Sequence, residues 1–535
     1  MNKLNLSLIT LSVLLNACSP AKPATPPRDS IRIALGATPA TLDPTLIQDL
    51  EANGVIDNLF AGLVDFNNSN QPIPGLAEKW DVSADGKTYR FVLRQNLKFS
   101  DGTPLTAQDV LNTFYRLADP RNGAGYAYLL RNLVNGDDVV AGKLALNQLG
   151  ISAPDANTIV MHLTHKNSSW LDILTLPCFD VIKFSTISTY GAAWVKPTHI
   201  VTSGAYTLVN YVMNGEMKLV KNKYYYAESQ VAIENVLLQT EANRTSEFNA
   251  YRSGALDMTS SVPMDIDPSL KQKYQAEFKR GQYEALVFYD FNNAAAPLKD
   301  NLKLRQALTI AVDREMLVNK IINDELRSPL YSTVTATIDN GAYQDIAYSW
   351  QKLPRAEQIK LAQQLYREAG YSPKHPLEIK LLYNSDEGNK KRSLALAAMW
   401  QQVLGVKTIV SNQEWKTFLV SRHKGDFQIA RDGANVDYNS VAAYAQMYVC
   451  KSPQNNSQYC NPAYDKLVNQ AELSTTSAQK VALYKQALGV ALNDYPILPL
   501  YQPTYTKLVK PYVLGYNPES NHLARFQIKW FSLKP

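Results

Sequence analysis

The sequence predicts a mixed α/β protein built from more than one domain. Its 535 residues suffice for about two to four domain-sized units. Apolar residues make up 45% and charged residues 19%, an ordinary balance for a globular chain. Residues 86–94, GKTYRFVLR, alternate with the period of two that is typical of a half-buried strand. After residue 376 strand and helix patterns alternate, which favours parallel strands joined by right-handed crossovers.

The first third of the chain contains predicted strands separated by one well-marked helix. IRIALG, residues 31–36, and DANTIVMHLTH, residues 155–165, have the composition of strands. The helix is expected to begin after Thr106, because Asp109 three residues later can complete a capping box. It is expected to end before Pro120, which cannot continue a helix.

The remainder is richer in predicted helices. NLKLRQALTIAVDREMLVNKII, residues 301–322, and AEQIKLAQQLYREAG, residues 356–370, have apolar side chains at helical spacing. Gly370 suits the end of the second helix, since glycine readily adopts the left-handed conformation there. The other predicted elements are a strand at 377–384, a helix at 389–405, a strand at 406–413 and a helix at 477–494.

The N-terminus has the pattern of an exported, lipid-modified protein. A basic start precedes an apolar run that ends at Cys18 and is shorter than the ~20 residues of a bilayer span. LNAC, residues 15–18, resembles the bacterial lipobox, whose cysteine is acylated after cleavage. The resemblance implies a signal peptide at 1–17 and a lipidated Cys18 on a Pro/Ala-rich tether over 18–30. Ser19 after the cysteine permits export to an outer membrane.

Three further cysteines follow the proposed anchor. In an exported protein Cys450 and Cys460 are expected to form a disulfide around the polar loop KSPQNNSQY. Cys178 lies in the apolar run LTLPCFDVI, which predicts a buried thiol rather than a nucleophile.

Patterns for catalysis, metals and nucleic acid are scarce. The chain has six histidines, and His162 and His165 fall in a predicted strand, where positions three apart face opposite sides. HExxH, GxSxG, the Walker loop and a GxGxxG entering a helix are all absent from the sequence. The net charge of +6 is spread along the chain and argues against a nucleic-acid partner. No enzyme activity, cofactor or metal is therefore expected.

ARDGANVDYN, residues 430–439, places Arg431, Asp432 and Asp437 within seven positions. Two carboxylates and a guanidinium this close could form a metal loop, an acid/base pair or a contact for a charged ligand. The stretch lacks the alternating Asp/Asn, the glycine and the terminal Glu of an EF-hand loop. A large exported α/β chain with 31 tyrosines is typical of proteins that capture a ligand between two lobes.

Seven motifs, in order along the chain, carry a family resemblance. They are TPATLDPTL, NLFAGLV, PIPGLAEKWDVSADGKTYRFVLR, FSDGTPLTAQDV, VTSGAYTLVNY, YRSGALDM and LRQALTIAVDRE. Together they resemble the peptide-family (family 5) solute-binding proteins of ABC importers. The later stretch NQEWKTFLVSRHKGDFQIARDGANVDYN is similar to the oligopeptide-binding branch, and the resemblance covers about residues 31–535.

The resemblance implies a type II periplasmic-binding-protein fold, in which two α/β lobes are joined by a hinge and carry one inserted domain. Domain I would comprise residues 31–60, 186–284 and 505–535; domain II would be the insertion at 61–185; domain III would span 285–504. A peptide would lie between domains I and III, its backbone added as a strand and its side chains in hydrated pockets.

The resemblance also implies ligand-binding residues. In the family the Asp of the DYN element binds the ammonium group of the peptide, which implies that role for Asp437. The family's Arg-x-Gly before it matches Arg431, in the cleft wall, and Gly433, whose neighbouring backbone pairs with the peptide. The remaining cleft positions are Arg422, able to meet a ligand carboxylate, Trp415, lining a pocket, Tyr126, a cleft aromatic, and Leu50, offering its backbone.

Between Arg431 and Asp437 the sequence departs from the family. Ala434 stands where Trp is usual and should reshape a side-chain pocket. Asp432 occupies a position that is usually small, and we expect it to be solvated. Asn435 replaces a family cysteine.

The partner position of that cysteine is Ala285, so the usual family disulfide is absent at both ends. The pair Cys450 and Cys460 instead resembles a disulfide of dipeptide-binding relatives. Cations that meet the peptide carboxylate in some members fall on Asn389 and Ile322, so recognition of the peptide C-terminus is expected to differ.

The expected protein is a monomeric, lipid-anchored periplasmic receptor that delivers oligopeptides to an inner-membrane ABC permease. A receptor for murein-derived peptide, dipeptide or haem in the same fold is the alternative within the binding class. A secreted hydrolase that uses Asp432 and Asp437 is the alternative from another class.

Overall fold

The computed structural model describes residues 29–47, 49–167, 169–241, 243–263, 268–322, 327–474, 476–519 and 521–534. The predicted signal peptide, Cys18 and most of the tether lie outside these residues. No helix in the described ranges is both long and apolar enough to cross a membrane.

Most strands belong to three sheets and one two-stranded ribbon. In chain order they are β1 (Ser30–Ala34), β2 (Ala77–Val82), β3 (Thr88–Leu93), β4 (Ile151–Asp155), β5 (Thr158–His162), β6 (Tyr206–Tyr211), β7 (Glu216–Lys221), β8 (Asn235–Gln239), β9 (Phe278–Gln282), β10 (Ala285–Phe291), β11 (Ser328–Pro329), β12 (Glu378–Asn384), β13 (Lys407–Gln413), β14 (Ile429–Asn435), β15 (Ile497–Gln502) and β16 (Thr504–Leu508). Two short ladders pair Val64–Phe66 with Pro72–Pro74 and Val513–Leu514 with Ser532–Leu533.

The longer helices pack against these sheets. They are α1 (Leu50–Leu59), α2 (Ala107–Ala118), α3 (Phe184–Tyr190), α4 (Arg244–Ser253), α5 (Leu302–Ala311), α6 (Arg355–Glu368), α7 (Glu387–Leu404), α8 (Trp415–Lys424), α9 (Pro462–Glu472) and α10 (Ser477–Asp494). Shorter α-helical segments are Gly136–Val140, Trp170–Ile173, Pro268–Lys273, Arg314–Met316 and Val441–Ala445.

The sheets differ in topology. One four-stranded sheet has the order β1-β8-β7-β6, with β1 and β8 parallel, and the other is an antiparallel sheet of order β2-β3-β5-β4. The six-stranded sheet has the order β11-β15-β10-β14-β12-β13. Its strands β12, β13 and β14 are parallel, as predicted for the β-α-β unit, while β10 is antiparallel to both of its neighbours. The predicted mixed α/β class is confirmed.

Separate hydrophobic cores underlie these sheets. One core joins residues of the two four-stranded sheets and helices α1 and α2. Two others lie on the opposite faces of the six-stranded sheet, one against α5, α6 and α7 and one against α9 and α10. The division into domains at residues 60, 185, 284 and 504 stays a prediction.

Local patterns predicted most elements correctly, including the helix after Thr106. The backbone N–H of Thr106 donates to Asp109 at 2.9 Å, the capping box expected for α2. Gly370, just beyond α6, has a φ of +94°, the left-handed conformation that a helix end requires.

One predicted helix is wrong as a continuous element. The pattern at 301–322 predicts a single helix, but α5 ends at Ala311 and Val312 is extended. The side chain of Asp313 then caps a new segment by accepting from Met316 N at 2.9 Å. The Arg314 guanidinium donates to the carbonyls of Leu330 and Pro499, so contacts distant in sequence fix this break.

Candidate functional site

A cavity of about 750 Å³ opens beside the C-terminal end of β14. Its walls come from β14 and the residues after it, from α8, from the loop enclosed by the disulfide and from Tyr128. The lining residues that bear on the predicted site are Arg422, Asp432, Gly433, Ala434, Asn435, Val436 and Asp437. Because β14 is a central strand of the six-stranded sheet, these side chains rest on a rigid support.

Strand register fixes which side chains reach the cavity. Across β10 and β14, Phe288 lies opposite Asp432 and Tyr289 lies opposite Arg431. Successive side chains of a strand point to opposite faces, so Asp432 and Ala434 face one way and Arg431 faces the other. The side chains of Arg431 and Asp432 therefore lie on opposite faces of the sheet.

Asp437 lies two residues beyond β14, half-buried at the cavity wall. Burial raises the pKa of its carboxyl from the ordinary 3.8 to about 6, although a hydrogen bond from Tyr126 and the charge of Arg525 act to lower it. Among the described residues no cation forms an ion pair with Asp437. Arg525 is itself paired with Asp57 at 2.8 Å. Asp437 is thus a carboxylate whose charge remains available for a ligand.

Tyr126 and Tyr128 bring a second part of the chain to this carboxylate. Their rings stack with centroids 6.4 Å apart. Burial, followed by the charge of Asp437, raises the pKa of Tyr126, so this phenol stays protonated and able to donate. The Tyr128 hydroxyl accepts from the Gln454 side chain at 2.8 Å, which joins this part of the chain to the far wall of the cavity.

Asp432 is not solvated, and that expectation is wrong. Only 4% of its surface is exposed. It accepts hydrogen bonds from the Arg422 guanidinium and, at 3.1 Å, from the Asn456 side chain. Asp290 of β10 lies beside it, and burial together with the Asp432 charge raises the pKa of Asp290 well above its usual range. A buried acid is stabilised by such partners, which explains why Asp432 is tolerated at this position.

Arg422 lines the cavity, as expected of a cleft residue, but its charge is largely balanced by this ion pair. The guanidinium carbon of Arg422 lies 5.6 Å from the ring centroid of Phe418. A ligand carboxylate at Arg422 would therefore compete with Asp432.

The remaining predicted contacts are dispersed. Leu50 is 47% exposed at the start of α1 and lines a second cavity, of about 360 Å³, together with Tyr283 and Arg525. Burial raises the pKa of Tyr283, and the charge of Asp437 raises it further. Trp415 is 45% exposed at the start of α8 and stacks on Phe418 at 6.1 Å; it does not line the 750 Å³ cavity.

Several residues of the site were not predicted from the sequence. Tyr128, Gln454 and Asn456 border the 750 Å³ cavity, and Tyr283 borders the second one. Two features of the sequence could have indicated some of these residues. Tyr128 lies two residues after Tyr126, and Gln454 and Asn456 belong to the polar loop between the paired cysteines.

The family assignment rests on comparison with known proteins. Residues 71–456 match the bacterial extracellular solute-binding proteins, family 5 (middle). The chain belongs to this family. It is 35% identical over 484 residues to the periplasmic oligopeptide-binding protein OppA of Salmonella typhimurium, covering 90% of this chain and 88% of that protein. Family members are binding proteins, so the prediction of a non-enzyme is confirmed.

Solved structures of family members have the same fold. Haemophilus influenzae OppA in complex with the peptide RPPGFSPFR superposes with a TM-score of 0.86 at 30% identity, covering 95% of this chain and 99% of that chain. The Escherichia coli murein tripeptide binding protein MppA superposes with a TM-score of 0.86 at 29% identity, covering 94% and 98%. The predicted periplasmic-binding-protein fold is confirmed.

The cysteine predictions agree with the structure of this family member. Cys450 and Cys460 form a disulfide with Cα atoms 4.6 Å apart, and Cys178 is a buried free thiol. The enclosed loop carries Gln454 and Asn456 into the cavity wall. Cys18 lies outside the described residues.

The departures from the family also have definite places in the structure. Ala285 and Asn435 lie directly opposite each other across β10 and β14, where the family disulfide would be. Asn389 and Ile322 are both buried, at 3% and 2% exposure. Neither supplies a cation. No cluster of three or more His, Cys, Asp or Glu side chains suited to a metal occurs among the described residues.

Proposed function

We propose that this protein is a monomeric, lipid-anchored periplasmic receptor that captures oligopeptides and delivers them to an inner-membrane ABC permease. Capture would take place between domain I (31–60, 186–284 and 505–535) and domain III (285–504), with domain II (61–185) inserted. Acylated Cys18 would hold the protein at the membrane, and Ser19 is compatible with the outer membrane. The relatives named for oligopeptide binding support the ligand class.

The observation that carries the proposal is Asp437. Its carboxylate stands at the wall of the cavity without an ion-pair partner among the described residues, and burial has raised its pKa to about 6. A buried carboxylate in this state is stabilised by an incoming cation, because each charge reduces the desolvation cost of the other. The ammonium group of a peptide has the charge and the three donors required.

The other contacts fit an extended peptide. Gly433 in β14 leaves the strand backbone open to the cavity, where a peptide could add as a further strand. Arg431 and Arg422 would form the charged wall, and Tyr126, Trp415 and Leu50 would supply contacts from the facing segments as the lobes close. Backbone pairing of this kind holds many sequences, while Ala434 leaves room for a side chain.

The direct test is binding of peptides to the mature chain, residues 19–535. Thermal unfolding would be followed with peptides of two to eight residues. A ligand at 100 times its Kd should stabilise the folded state by about 2.7 kcal/mol. N-acetylated versions should bind far more weakly if Asp437 takes the ammonium group. No stabilisation by any peptide would contradict the proposal, and equal affinity after acetylation would contradict the role of Asp437.

A murein-derived peptide is a second candidate ligand, because MppA, named for binding murein tripeptide, superposes as well as the oligopeptide-binding relative does. Mass spectrometry of the ligand that co-purifies from the native envelope separates the two candidates. Ordinary L-peptides of mixed sequence would support oligopeptide capture, and one defined wall-derived peptide would support the second.

A further inference from the structure

A small cavity lies where three distant segments of the chain meet, away from the 750 Å³ cavity. Its walls come from residues 57–66, residues 175–180 and the C-terminal residues 527–529. Its volume of about 10 Å³ has room for about one water-sized particle. The polar side chains that line it include Asp57, Asp65, Asp180, Gln527 and Lys529.

Two of the three carboxylates at this cavity are paired, and the third is not. Asp57 is paired with Arg525 at 2.8 Å, and Asp65 is paired with Lys529. The carboxyl of Asp180 has no ion pair and no hydrogen-bond donor within the described part of the chain. Only 6% of the surface of Asp180 is exposed, so solvent does little to stabilise its charge.

The surroundings of Asp180 make its ionised form unfavourable in the absence of a further cation. Burial raises the pKa of Asp180 well above its usual range, and the charge of Asp57 adds to the increase. The charge of Arg525 acts in the opposite direction, but that guanidinium is already bonded to Asp57. A positive charge placed next to Asp180 would therefore be stabilising.

Several oxygen atoms converge on the space beside Asp180. A Cβ atom placed on Gly62 would lie 3.1 Å from Oδ1 of Asp180. The carbonyl oxygens of Val64 and Leu174 would be 3.3 Å and 3.5 Å from the same point. Oε1 of Gln527, at the wall of the same cavity, is buried and accepts no hydrogen bond from the described residues. Glycine at position 62 leaves the space between these oxygens open.

A metal cation suits this arrangement better than a water molecule does. Water has two hydrogens to donate, so it cannot satisfy three acceptors around one point and the Gln527 oxygen as well. A cation can be coordinated by all of these oxygens at once. The single unpaired carboxylate balances one positive charge, and carboxylate, amide and carbonyl oxygens are the usual ligands of hard cations.

We propose that Asp180 and Gln527, together with the two carbonyl oxygens beside Gly62, form a binding site for one Na⁺ or K⁺ ion. The ion would join the C-terminal segment to two distant parts of the chain and so stabilise the folded protein. Motifs in the sequence could not indicate this site, because carbonyl oxygens occur in every residue type. The inference does not depend on the proposed capture of peptides.

The test compares the melting temperature of the mature protein in three salts at equal ionic strength. The salts are NaCl, KCl and choline chloride, whose organic cation is too large for the cavity. The variants are Asp180→Asn, which removes the charge at nearly constant size, and Gly62→Ala, which fills the space between the oxygens. The matched controls are Asp81→Asn, at an exposed carboxylate, and Gly489→Ala, at a helix position with open space around it.

The wild type should melt at a higher temperature in NaCl or KCl than in choline chloride. The shift should be at least about 1 °C for each tenfold increase in cation concentration above its Kd. The salt with the larger shift identifies the ion. Asp180→Asn and Gly62→Ala should lose the response, and both controls should keep it. In choline chloride, Asp180→Asn should melt at the wild-type temperature or above, because it lacks the unbalanced buried carboxyl.

Two results would overturn the inference. Equal melting temperatures of the wild type in all three salts would show that Asp180 holds a proton or a water molecule rather than a metal ion. A full salt response in Asp180→Asn would show that the cation acts elsewhere on the protein. Neither result bears on peptide binding, so the proposed function is tested separately.

Discussion

At the scale of single residues, the site is organised by how each charge is balanced. Asp432 and Asp437 lie five residues apart, yet the first is bonded to Arg422 and Asn456 while the second has no cation. The sheet decides this difference, because Asp432 points from β14 toward α8 and Asp437 lies past the end of the strand. One acid therefore stabilises the cavity wall, and the other is available to a ligand.

Replacing Asp437 by Asn should weaken peptide binding by about 2 to 5 kcal/mol, since the peptide ammonium would lose its charge partner in a buried site. Calorimetry with a free and an N-acetylated peptide of the same sequence measures the effect. The variant should bind the acetylated peptide about as well as the wild type does. Asp81→Asn, which removes an exposed carboxylate from β2, is the control and should leave both affinities unchanged. Equal binding of the free peptide by Asp437→Asn would contradict the assignment.

Peptide binding should weaken as the pH falls from 7 to 5. The ammonium group requires ionised Asp437, and with a pKa of about 6 the ionised fraction falls from about 90% to about 10% over this range. The apparent Kd should therefore rise about tenfold, and Asp437→Asn should abolish that slope. Titrations at four pH values across this range provide the measurement. A slope that persists in the variant would assign the effect to another group.

The same raised pKa has the opposite consequence for the empty protein. The folded state binds a proton at Asp437 more tightly than the unfolded chain, whose carboxyl keeps its ordinary pKa of 3.8. This contribution to stability is complete below that value and is lost as the pH rises through about 6. The ionised carboxylate that favours the ligand is thus unfavourable in its absence.

At the scale of elements, β14 and the disulfide loop define the cavity together. The β14 register places Gly433 opposite Val287 and Asn435 opposite Ala285. A shift by one residue would exchange the faces of Arg431 and Asp432 and remove the Asp432–Arg422 pair. The loop between Cys450 and Cys460 then closes the far wall through Gln454 and Asn456.

Removing the disulfide with Cys450→Ser and Cys460→Ser should lower the free energy of unfolding by up to about 3 kcal/mol, since a closed loop of this length restricts the unfolded chain. Peptide binding should weaken as well, because the bond from Gln454 to Tyr128 and that from Asn456 to Asp432 would no longer be held in place. Urea unfolding and calorimetry measure the two effects.

Reducing agent provides the matched control for this double variant. It should destabilise the wild type to a similar degree and leave the variant unaffected. Wild-type stability that does not respond to complete reduction would contradict a stabilising role for the bond.

At the scale of the whole molecule, the N-terminal segment with Cys18 predicts where the protein is located in the cell. The remainder of the chain predicts that it binds a ligand. Cys18→Ser should move the protein from the membrane fraction to the soluble fraction of the cell envelope, because each buried acyl CH₂ contributes about 0.8 kcal/mol. Fractionation with immunoblotting measures this, and mass spectrometry of the N-terminal peptide detects the lipid. Cys178→Ala, a change at the buried thiol, should remain membrane-bound. A Cys18→Ser protein that stays in the membrane would exclude this anchor.

The sequence by itself determined the features that depend on near neighbours or on ordered motifs. Alternation with period two predicted β3, and a capping box spanning four residues predicted the start of α2. The two cysteines that enclose a short polar loop predicted their own disulfide. Seven motifs in order along the chain resembled those of one protein family, and the chain belongs to that family.

Only the tertiary structure decided which polar and charged groups from distant parts of the chain pair with each other. The break after Ala311 depends on carbonyls of Leu330 and Pro499, so helical periodicity at 301–322 could not reveal it. Asp432 was expected in solvent because nothing near it in sequence shows that α8 brings Arg422 over it. Local patterns specify backbone conformation, whereas the balance of buried charges depends on the path of the chain through space.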